Sequence, residues 1–342
     1  MLSTFKRVLI TGGYGFIGSA LVRKLLLETK LEILNIDKIG YASDLNSVNK
    51  LLESKKELFL KRYTFKKIDL LNTKDLTNAI FQFRPNLVFH LAAETHVDQS
   101  IINPNKFITS NIVGTSNLLE ILNDYFKGLS INAKKNFRFI HVSTDEVFGS
   151  LGKNGKFSEI SPYKPNSPYA ASKASSDHLV KAWSKTYRFP AIITNCSNNF
   201  GPWQFPEKLI PLTISKCLKK ETIPVYGNGE NIRDWIYVED HVSALIKCAN
   251  YGKINSSYCI GGDNQISNIN LVNMICTFLD NKKPWKKSYK NLIEFVLDRA
   301  GHDYRYAIDS SKIKSELEWQ PKYKFEESLS LTIDWYLEKN KS

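Results

Sequence analysis

The sequence predicts an α/β fold in which a doubly wound parallel sheet is followed by a smaller α/β domain. Up to Asn199, short apolar runs alternate with segments of helical periodicity, the pattern of a parallel sheet with helices on both faces. The runs are almost continuously apolar, as strands covered on both faces require. Beyond Asn199 the elements become shorter, and Pro202, Pro206 and Pro211 lie close together. We therefore expect one domain over residues 1–199, which also includes about 234–262, and a second over 200–342.

The individual elements follow from the apolar runs and from the segments between them. The runs predict strands at residues 7–11, 31–37, 63–69, 86–92, 137–143 and 191–196. Helical spacing predicts helices at residues 16–28, 72–83, 104–127, 168–187 and 325–339. In the last of these helices Leu329, Ile333 and Tyr336 are spaced to face a core.

The bulk composition is that of a globular protein and excludes several functional classes. Of the 342 residues, 42% are hydrophobic and 24% are charged, which is sufficient for a large core. The net charge is +13, but the lysines are scattered and no nucleic-acid-binding motif accompanies them, so we expect no nucleic-acid partner. No apolar stretch approaches the ~18 residues that suggest a membrane helix, and no leader precedes the first strand. We therefore expect no association with a membrane.

The cysteines indicate the redox compartment. The five of them are widely spaced, and no Cys-x-x-Cys pair occurs among Cys196, Cys217, Cys248, Cys259 and Cys276. This pattern favours neither a zinc site nor a disulfide framework. We expect a reducing, cytoplasmic location and no bound metal.

A glycine-rich loop follows the first predicted strand and opens the first predicted helix. Gly12, Gly15 and Gly18 form a G-x-x-G-x-x-G pattern. Residues without a Cβ let the backbone N–H groups and the helix N-terminus approach a pyrophosphate closely, so the loop predicts a dinucleotide site on a Rossmann-type sheet. Asp37 ends the second strand, where a carboxylate binds a ribose 2′-hydroxyl and repels a 2′-phosphate, which favours NAD over NADP. The alternative for Asp37 is a solvated residue at a strand end.

Two side chains on the helix at 168–187 have the spacing of a proton-transfer pair. Tyr169 and Lys173 lie one turn apart on the same face of that helix. A nearby ammonium favours the phenolate, so we expect Lys173 to lower the pKa of Tyr169. Such a phenol can take a proton from a sugar hydroxyl while hydride leaves the same carbon. The spacing also occurs by chance on helix surfaces, and its weight here comes from the dinucleotide loop in the same chain.

Polar residues end the fifth predicted strand, at the sheet edge where ligands bind in open α/β folds. Thr144 can bind a substrate hydroxyl, and Asp145 and Glu146 supply two carboxyl groups. A dehydratase needs such a pair, because one group removes a carbon-bound proton while another protonates the departing hydroxyl. Neither an epimerase nor a simple hydride-transfer enzyme needs them. The alternative is that the two carboxyls cap the turn that follows.

Seven segments together resemble the nucleotide-sugar 4,6-dehydratases of the extended short-chain dehydrogenase/reductase family, over nearly the whole chain. The glycine loop and YAASK at 169–173 are common to the superfamily, whereas the Thr-Asp-Glu triplet and the stretch after Asn198 are much narrower signals. The segments are TGGYGFIG at 11–18, HLAAETHVD at 90–98, STDEVFG at 143–149, YAASK at 169–173, NCSNNFGPWQFPEKLIP at 195–211, VYGNGENIRDWIYVEDH at 225–241 and DRAGHDYRYAID at 298–309.

The resemblance implies a lyase that converts dTDP-glucose into dTDP-4-keto-6-deoxyglucose and water, with NAD reduced and regenerated in each cycle. It assigns deprotonation of the sugar 4-hydroxyl to Tyr169, supported by Lys173. It assigns removal of the carbon 5 proton to Glu146 and protonation of the leaving 6-hydroxyl to Asp145. Thr144 would hold the 4-hydroxyl and polarise the ketone. The family also implies a homodimer, for which the helices at 104–127 and 168–187 are candidates.

The same resemblance implies two sets of binding residues. NAD would contact Gly12, Gly15, Phe16, Ile17, Gly18, Asp37, Asp69, Leu70, Leu91, Ala92, Ala93, Ser110, Tyr169, Lys173 and Asn199. The nucleotide sugar would contact Thr95, Thr144, Asn198, Glu207, Lys208, Leu209, Pro224, Tyr226, Arg233, Asn268, Asp298, Arg299 and His302. Lys208 and Arg233 can neutralise a pyrophosphate, and Arg233 can do so in bidentate fashion.

Two rival functions stay open at this point. One is a nucleotide-sugar 4-epimerase, or a dehydratase for a sugar carried on another nucleotide. The other is a non-catalytic NAD-binding regulatory module, although such modules often lack the Tyr or the Lys that this chain retains. Gln99 and Ala300 replace the Arg and Pro common in the family, which leaves the local loop geometry open.

Overall fold

A parallel sheet of seven strands, with the order β10-β6-β5-β4-β1-β2-β3, forms the centre of the computed structural model. The structure describes residues 2–54, 56–59 and 61–339. Two smaller sheets, β11-β9-β7 and β12-β8, lie in the second half of the chain. The strands are β1 Arg7–Thr11, β2 Glu32–Asp37, β3 Tyr63–Lys67, β4 Leu87–His90, β5 Arg138–Thr144, β6 Ala191–Cys196, β7 Asn198–Phe200, β8 Ile223–Tyr226, β9 Ile232–Tyr237, β10 Ser257–Ile260, β11 Gln265–Ser267 and β12 Ile293–Val296.

Helices cover the sheet and build most of the second half. They are α1 Phe16–Glu28, α2 Asn46–Ser54, α3 Lys56–Phe59, α4 Thr73–Phe83, α5 Val97–Ile102, α6 Pro104–Phe107, α7 Gly114–Lys127, α8 Ile131–Lys135, α9 Pro168–Tyr187, α10 Leu209–Lys219, α11 Val238–Tyr251, α12 Asn268–Lys282, α13 Ser311–Leu317 and α14 Phe325–Lys339. Within the described part of the chain, no helix combines the length and the apolarity needed to cross a membrane.

The six predicted strands all occur in the large sheet, with ends that differ by no more than two residues from the prediction. The predicted helices at 16–28, 168–187 and 325–339 have the observed bounds. The seventh strand, β10, comes from the second half of the chain and pairs in parallel with β6, Ser257 opposite Ile193. The sheet therefore draws on both halves of the sequence.

The predicted helix at 104–127 is helical throughout but is not one regular α-helix. A π-helical stretch, Ile108–Val113, separates α6 from α7. At its centre the buried amide of Asn111 donates to the hydroxyl of Ser172 at 2.9 Å and to the carbonyl of Glu94 at 3.0 Å. Periodicity alone does not distinguish a π-turn from an α-turn, because both keep the apolar residues on one side.

The apolar strands bury both of their faces, as the composition of the runs predicts. On β1, Val8 and Ile10 belong to a core with Leu21 of α1 and Leu245 of α11. Leu9, between them, points to the opposite core, which holds residues of α4 and α7. All seven parallel strands end at one edge of the sheet. β2 and β3 lie on one side of β1, whereas β4, β5 and β6 lie on its other side, so the strand order reverses between β1 and β4. A crevice forms at such a reversal, outside the carboxyl ends of the strands.

Candidate active site

The glycine loop leaves space that no side chain fills at the N-terminus of α1. Gly12 has a φ of +74°, and a Cβ there would lie 2.7 Å from the backbone nitrogen of Ala92. A Cβ on Gly18 would collide with the carbonyl oxygen of Gly12. Gly15, the residue before α1, offers no side-chain cap to the first N–H groups of the helix. The loop is thus a cradle that suits a phosphate group, because the first N–H groups of α1 have no side-chain cap and can donate to an anion.

The carboxylate that ends β2 is held in place by the glycine loop and by the loop that follows β2. Asp37 is buried, and its oxygens accept the backbone N–H of Tyr14 at 2.9 Å and that of Ile39 at 2.8 Å. Next to it, Lys38 extends to the buried carboxylate of Glu94, with Nζ 2.7 Å from Oε1. The same carboxylate receives Lys106 at 3.2 Å. These contacts orient Asp37 and Lys38 at the side of the cavity where the sequence predicts the adenosine.

One cavity collects every residue predicted to bind NAD, together with all five residues predicted to be catalytic. It runs from the glycine loop along the ends of β1, β2, β4, β5 and β6. Its predicted lining residues are Gly12, Gly15, Phe16, Ile17, Gly18, Asp37, Asp69, Leu70, Leu91, Ala92, Ala93, Thr95, Ser110, Thr144, Asp145, Glu146, Tyr169, Lys173, Asn198, Asn199 and Lys208. Among the described residues, no group of three or more metal-binding side chains is found.

The predicted proton-transfer residues meet where the end of β5 faces the start of α9. Thr144 is the last residue of β5, and Asp145 and Glu146 begin a 3-10 turn directly after it. The Thr144 hydroxyl donates to Asp145 at 3.3 Å and accepts the backbone N–H of Glu146 at 3.3 Å. Across the cavity, α9 begins at Pro168, and the hydroxyl of Ser167 accepts the N–H of Ala170. This cap places Tyr169 in the first turn of the helix, opposite Thr144.

The phenol of Tyr169 has a raised pKa, so the predicted lowering by Lys173 is wrong for this structure. Burial raises the pKa of Tyr169 well above its ordinary value, and the negative charge of Glu146 raises it further. A hydrogen bond with Thr144 acts in the opposite direction. Lys173 points instead to the backbone, where its Nζ donates to the carbonyl of Val142 at 2.9 Å. Its own pKa is lowered, because the ammonium is buried.

The two adjacent carboxyls differ in what surrounds them. Burial raises the pKa of Asp145 well above its ordinary value, and the charges of Glu146 and Asp234 raise it further. Burial also raises the pKa of Glu146 above its ordinary value, although the cations Arg233, Lys208 and Arg299 partly oppose the rise. Of the two groups, Asp145 is therefore the better proton donor and Glu146 the better base.

A second group of predicted residues lies beside this cavity and not in its lining. The Arg299 guanidinium lies 4.7 Å from the centre of the Tyr226 ring, and its Nε lies 3.3 Å from Asp98. His302 Nδ1 lies 2.6 Å from the carboxylate of Asp298. Since Glu146 and Lys208 both feel the charge of Arg299, the group adjoins the proton-transfer residues. Its cations suit the phosphates of a nucleotide.

Arg233 is buried between this group and the carboxyls. Its Nη1 donates to the carbonyl of Ile232 at 2.8 Å and its Nη2 to that of Asp303 at 2.9 Å. The guanidinium also lies 4.3 Å from the centre of the Tyr306 ring. Much of its hydrogen-bonding capacity is thus used within the protein, and its charge lowers the pKa of Glu146.

The other predicted substrate residues lie at the ends of elements in the second half. Leu209 is the first residue of α10 and Asn268 the first of α12, while Pro224 lies in β8. Glu207 precedes α10 and accepts a hydrogen bond from Tyr41. These four residues are not part of the cavity lining.

Several residues that line the cavity were not predicted from the sequence. Five of them follow Asp37 in the sequence, and this closeness to the carboxylate predicted to bind the ribose is a signal that could have identified them. They are Lys38, Gly40, Tyr41, Ala42 and Ser43. The others are Ile36, Ile68, Glu94, Val142, Ser143, Cys196, Ser197, Gln204 and Phe205. Six of these nine residues lie within the quoted motif segments, which therefore carried a signal for them. Ile36, Ile68 and Val142 lie outside those segments, and only the assembled sheet brings them to the cavity.

Comparison with known proteins gives the same picture over almost the whole chain. The model of the family described as GDP-mannose 4,6 dehydratase matches residues 9–332. The chain is 49% identical to a probable dTDP-glucose 4,6-dehydratase of Sinorhizobium fredii, covering 97% of this chain and 93% of that protein. It is similar to the crystal structure of the Bacillus anthracis dTDP-glucose 4,6-dehydratase in complex with NAD, with a TM-score of 0.85, 39% identity and 98% of both chains covered. The Streptomyces venezuelae dTDP-glucose 4,6-dehydratase with NAD and TYD bound gives a TM-score of 0.88 at 36% identity, again over 98% of both chains.

Proposed function

The chain belongs to the dTDP-glucose 4,6-dehydratases of the extended short-chain dehydrogenase/reductase family, and we propose that it converts dTDP-glucose into dTDP-4-keto-6-deoxyglucose and water. NAD is the cofactor. The observation that carries the proposal is the convergence of Tyr169, Asp145 and Glu146 on one cavity that also contains the glycine cradle. An oxidation followed by an elimination needs three such groups, whereas oxidation alone needs one.

The residues divide the proton transfers among themselves. Tyr169 takes the proton of the sugar 4-hydroxyl, which Thr144 holds in place. Glu146 takes the proton from carbon 5, which the neighbouring ketone has made acidic, and Asp145 protonates the 6-hydroxyl as it leaves as water. When bound, NAD would supply the hydride acceptor for carbon 4 and the hydride donor for carbon 6. Glu146 would return its proton to carbon 5 in that last step, which completes the 4-keto-6-deoxy sugar.

The charges around the carboxyls support these two roles. Burial and the charges of Glu146 and Asp234 raise the pKa of Asp145, which favours the protonated form that a general acid needs. Glu146 lies near Arg233, Lys208 and Arg299, which favour its charged form. Opposite protonation states are what an acid and a base need when they act on neighbouring carbons of one ring.

The remaining predicted substrate residues would bind the nucleoside diphosphate part of the substrate. The family model carries a GDP-sugar in its description, whereas the full-length relatives act on a dTDP-sugar according to their names. We propose the dTDP-sugar on the strength of that identity. Lys208, Arg299 and His302 supply the positive charge and the donors for its phosphates.

Product analysis tests the proposal. Purified protein is incubated with dTDP-glucose and no added cofactor, and we expect a 4-keto product that is sensitive to alkali. Formation of dTDP-galactose alone would indicate an epimerase. Turnover only of UDP-, GDP- or CDP-glucose in a parallel panel would indicate a dehydratase for another nucleotide. Bound NAD without turnover of any nucleotide sugar would indicate a regulatory module.

We also propose the domain boundaries and the oligomeric state. Residues 1–199 with 234–262 would form the NAD domain and the rest of 200–342 the nucleotide-sugar domain, in a cytoplasmic homodimer. For the dimer, apolar side chains are exposed next to α6 and α7, among them Ile102, Ile108 and Val113. Ile108→Lys should then convert a dimer into monomers in light scattering, and an unchanged mass would exclude this face.

A further inference from the structure

A third polar residue lies on the face of α9 that carries Tyr169 and Lys173. Asp177 follows Lys173 by one helical turn, as Lys173 follows Tyr169. Its side chain is fully buried, with 0% of its surface exposed. A buried carboxylate is costly unless several donors or a cation compensate for its lost hydration. The contacts of Asp177 therefore indicate what its charge is for.

Three hydrogen bonds converge on one oxygen of this carboxylate. Asp177 Oδ2 accepts from the hydroxyl of Ser143 at 2.9 Å, from the phenol of Tyr163 at 2.8 Å and from the amide of Asn195 at 3.2 Å. The other oxygen, Oδ1, lies 3.1 Å from Nε2 of His141, which is also fully buried. The donors belong to β5, to β6 and to the loop before α9, so one carboxylate joins three parts of the fold.

These contacts extend to the catalytic residues. Ser143 immediately precedes Thr144 in β5. The amide of Asn195, which donates to Asp177, also donates to the carbonyl of Thr144 at 3.2 Å. On α9 the same carboxylate lies one and two turns from Lys173 and Tyr169. The position of Tyr169 relative to Thr144, Asp145 and Glu146 thus depends on this connection.

We infer that Asp177 is a positioning residue, which holds α9 against the end of β5 and balances the charge of the buried Lys173. It does not touch the cavity, and it acts through Thr144 and Lys173. The inference rests on the proposed function for the reaction it serves. The effect of Asp177 on the charge of Lys173 does not depend on that reaction, since Lys173 is buried whatever the substrate is.

The charge on Asp177 has a defined effect on Lys173. Burial lowers the pKa of Lys173, and the negative charge of Asp177 raises it. The other titratable groups around the ammonium are His90 of β4, His141 of β5 and Cys196 of β6, and the two histidines have pKa values lowered by burial. Of the two groups that oppose the effect of burial on the pKa of Lys173, Asp177 contributes more than Cys196.

The variant Asp177→Asn keeps the size of the side chain and removes the charge. We expect kcat on dTDP-glucose to fall about 10- to 100-fold per NAD-containing molecule, as when reacting groups are misplaced, with KM changed less than about twofold. The alkaline limb of the kcat profile should move to lower pH, because Lys173 loses its proton more easily. In protein labelled with 13C at lysine Cε, the Lys173 signal, assigned by comparison with Lys173→Arg, should titrate at lower pH without any substrate.

A matched control separates this effect from a loss of stability. Asp240 is another buried carboxylate on a helix, and it accepts the backbone N–H of Lys322 at 2.9 Å far from the site. Asp240→Asn should lower the melting temperature and leave the pH profile unchanged. If Asp177→Asn behaves in the same way, or keeps the wild-type kcat and Lys173 titration, the inference is wrong.

Two further outcomes are informative. If Asp177→Asn does not fold, Asp177→Glu keeps the charge on a longer side chain, and it should leave the Lys173 titration in place while kcat falls. Wild-type kcat in that variant contradicts the positioning role. A wild-type enzyme that fails to turn over dTDP-glucose contradicts the proposed function only, since the lysine titration needs no substrate.

Discussion

The phenol of Tyr41 donates a 3.0 Å hydrogen bond to the carboxylate of Glu207, across 166 positions of the chain. Tyr41 belongs to the loop after Asp37, at the proposed ribose, and Glu207 immediately precedes Lys208, at the proposed phosphates. The ring of Tyr41 also packs edge-on against Phe205 at 5.4 Å, and His96 Nε2 lies 3.2 Å from the other oxygen of Glu207. The contact therefore bridges the cofactor side and the substrate side of one cavity.

We predict that Tyr41→Phe loses NAD faster than the wild type, because the ring contacts remain while the bridging hydrogen bond is removed. A hydrogen bond of this kind contributes about 1 kcal/mol, so the dissociation rate should rise roughly 5-fold. The NAD retained during dialysis measures it, with Tyr251→Phe as a control on an exposed ring far from the cavity. Equal retention in both variants would show that the bridge does not hold the cofactor.

The variant Glu146→Gln should stop the reaction after the first hydride transfer. Oxidation at carbon 4 needs Tyr169 and not Glu146, so NADH should accumulate on the enzyme when dTDP-glucose is added. Its absorbance in a stopped-flow experiment reports the intermediate state directly. Glu318→Gln, in an exposed residue after α13, is the control. Elimination at the wild-type rate in Glu146→Gln would remove this residue from the mechanism.

The variant Tyr169→Phe should slow the first hydride transfer about 10²- to 10⁴-fold, the range for loss of a positioned acid or base. The rate of NADH formation in a single turnover measures this step. Binding of the nucleotide sugar should change little, because the ring remains. Tyr187→Phe, at the exposed end of the same helix, is the matched control. A loss of less than tenfold would place the proton acceptor elsewhere.

Asp234 gives a prediction about stability and pH. Burial raises the pKa of this carboxyl to about 7, above the ordinary value of 3.8. A raised pKa in the folded state stabilises the protein fully below about pH 4, and that contribution is lost as pH rises to about 7. Asp234→Asn cannot titrate, so relative to the wild type it should gain up to about 4 kcal/mol between pH 4 and pH 8.

Melting temperatures at pH 5 and pH 8 test this sign. The gap between Asp234→Asn and the wild type should be more favourable to the variant at pH 8. Asp263→Asn, which removes an exposed neighbouring charge, is the comparison. A gap that does not change with pH, or that changes in the opposite direction, contradicts the raised pKa.

Local chemistry explains why so much of the sheet and of the cofactor site could be predicted. A strand covered on both faces must be apolar along its length, so β1, β2, β4, β5 and β6 can be predicted from the sequence. The edge strand β3 is covered only in part and carries Lys66 and Lys67. Gly12 and Gly18 are predictable because any Cβ at those positions would meet backbone atoms. Tyr169 and Lys173 share one helix, and Thr144, Asp145 and Glu146 are consecutive. The sequence therefore predicts that the members of each set lie close together.

Contacts between distant segments could not be predicted in this way. The chain by itself determined the alternation of strands and helices and the glycine cradle, and it supplied the candidate proton-transfer residues, because each depends on neighbours within a turn or a strand. Only the tertiary structure decided that Tyr41 meets Glu207, that Asp177 ties α9 to β5, and that the pKa of Tyr169 is raised. Each of these depends on burial or on a partner from elsewhere in the chain, and the spacing of neighbouring residues predicts neither.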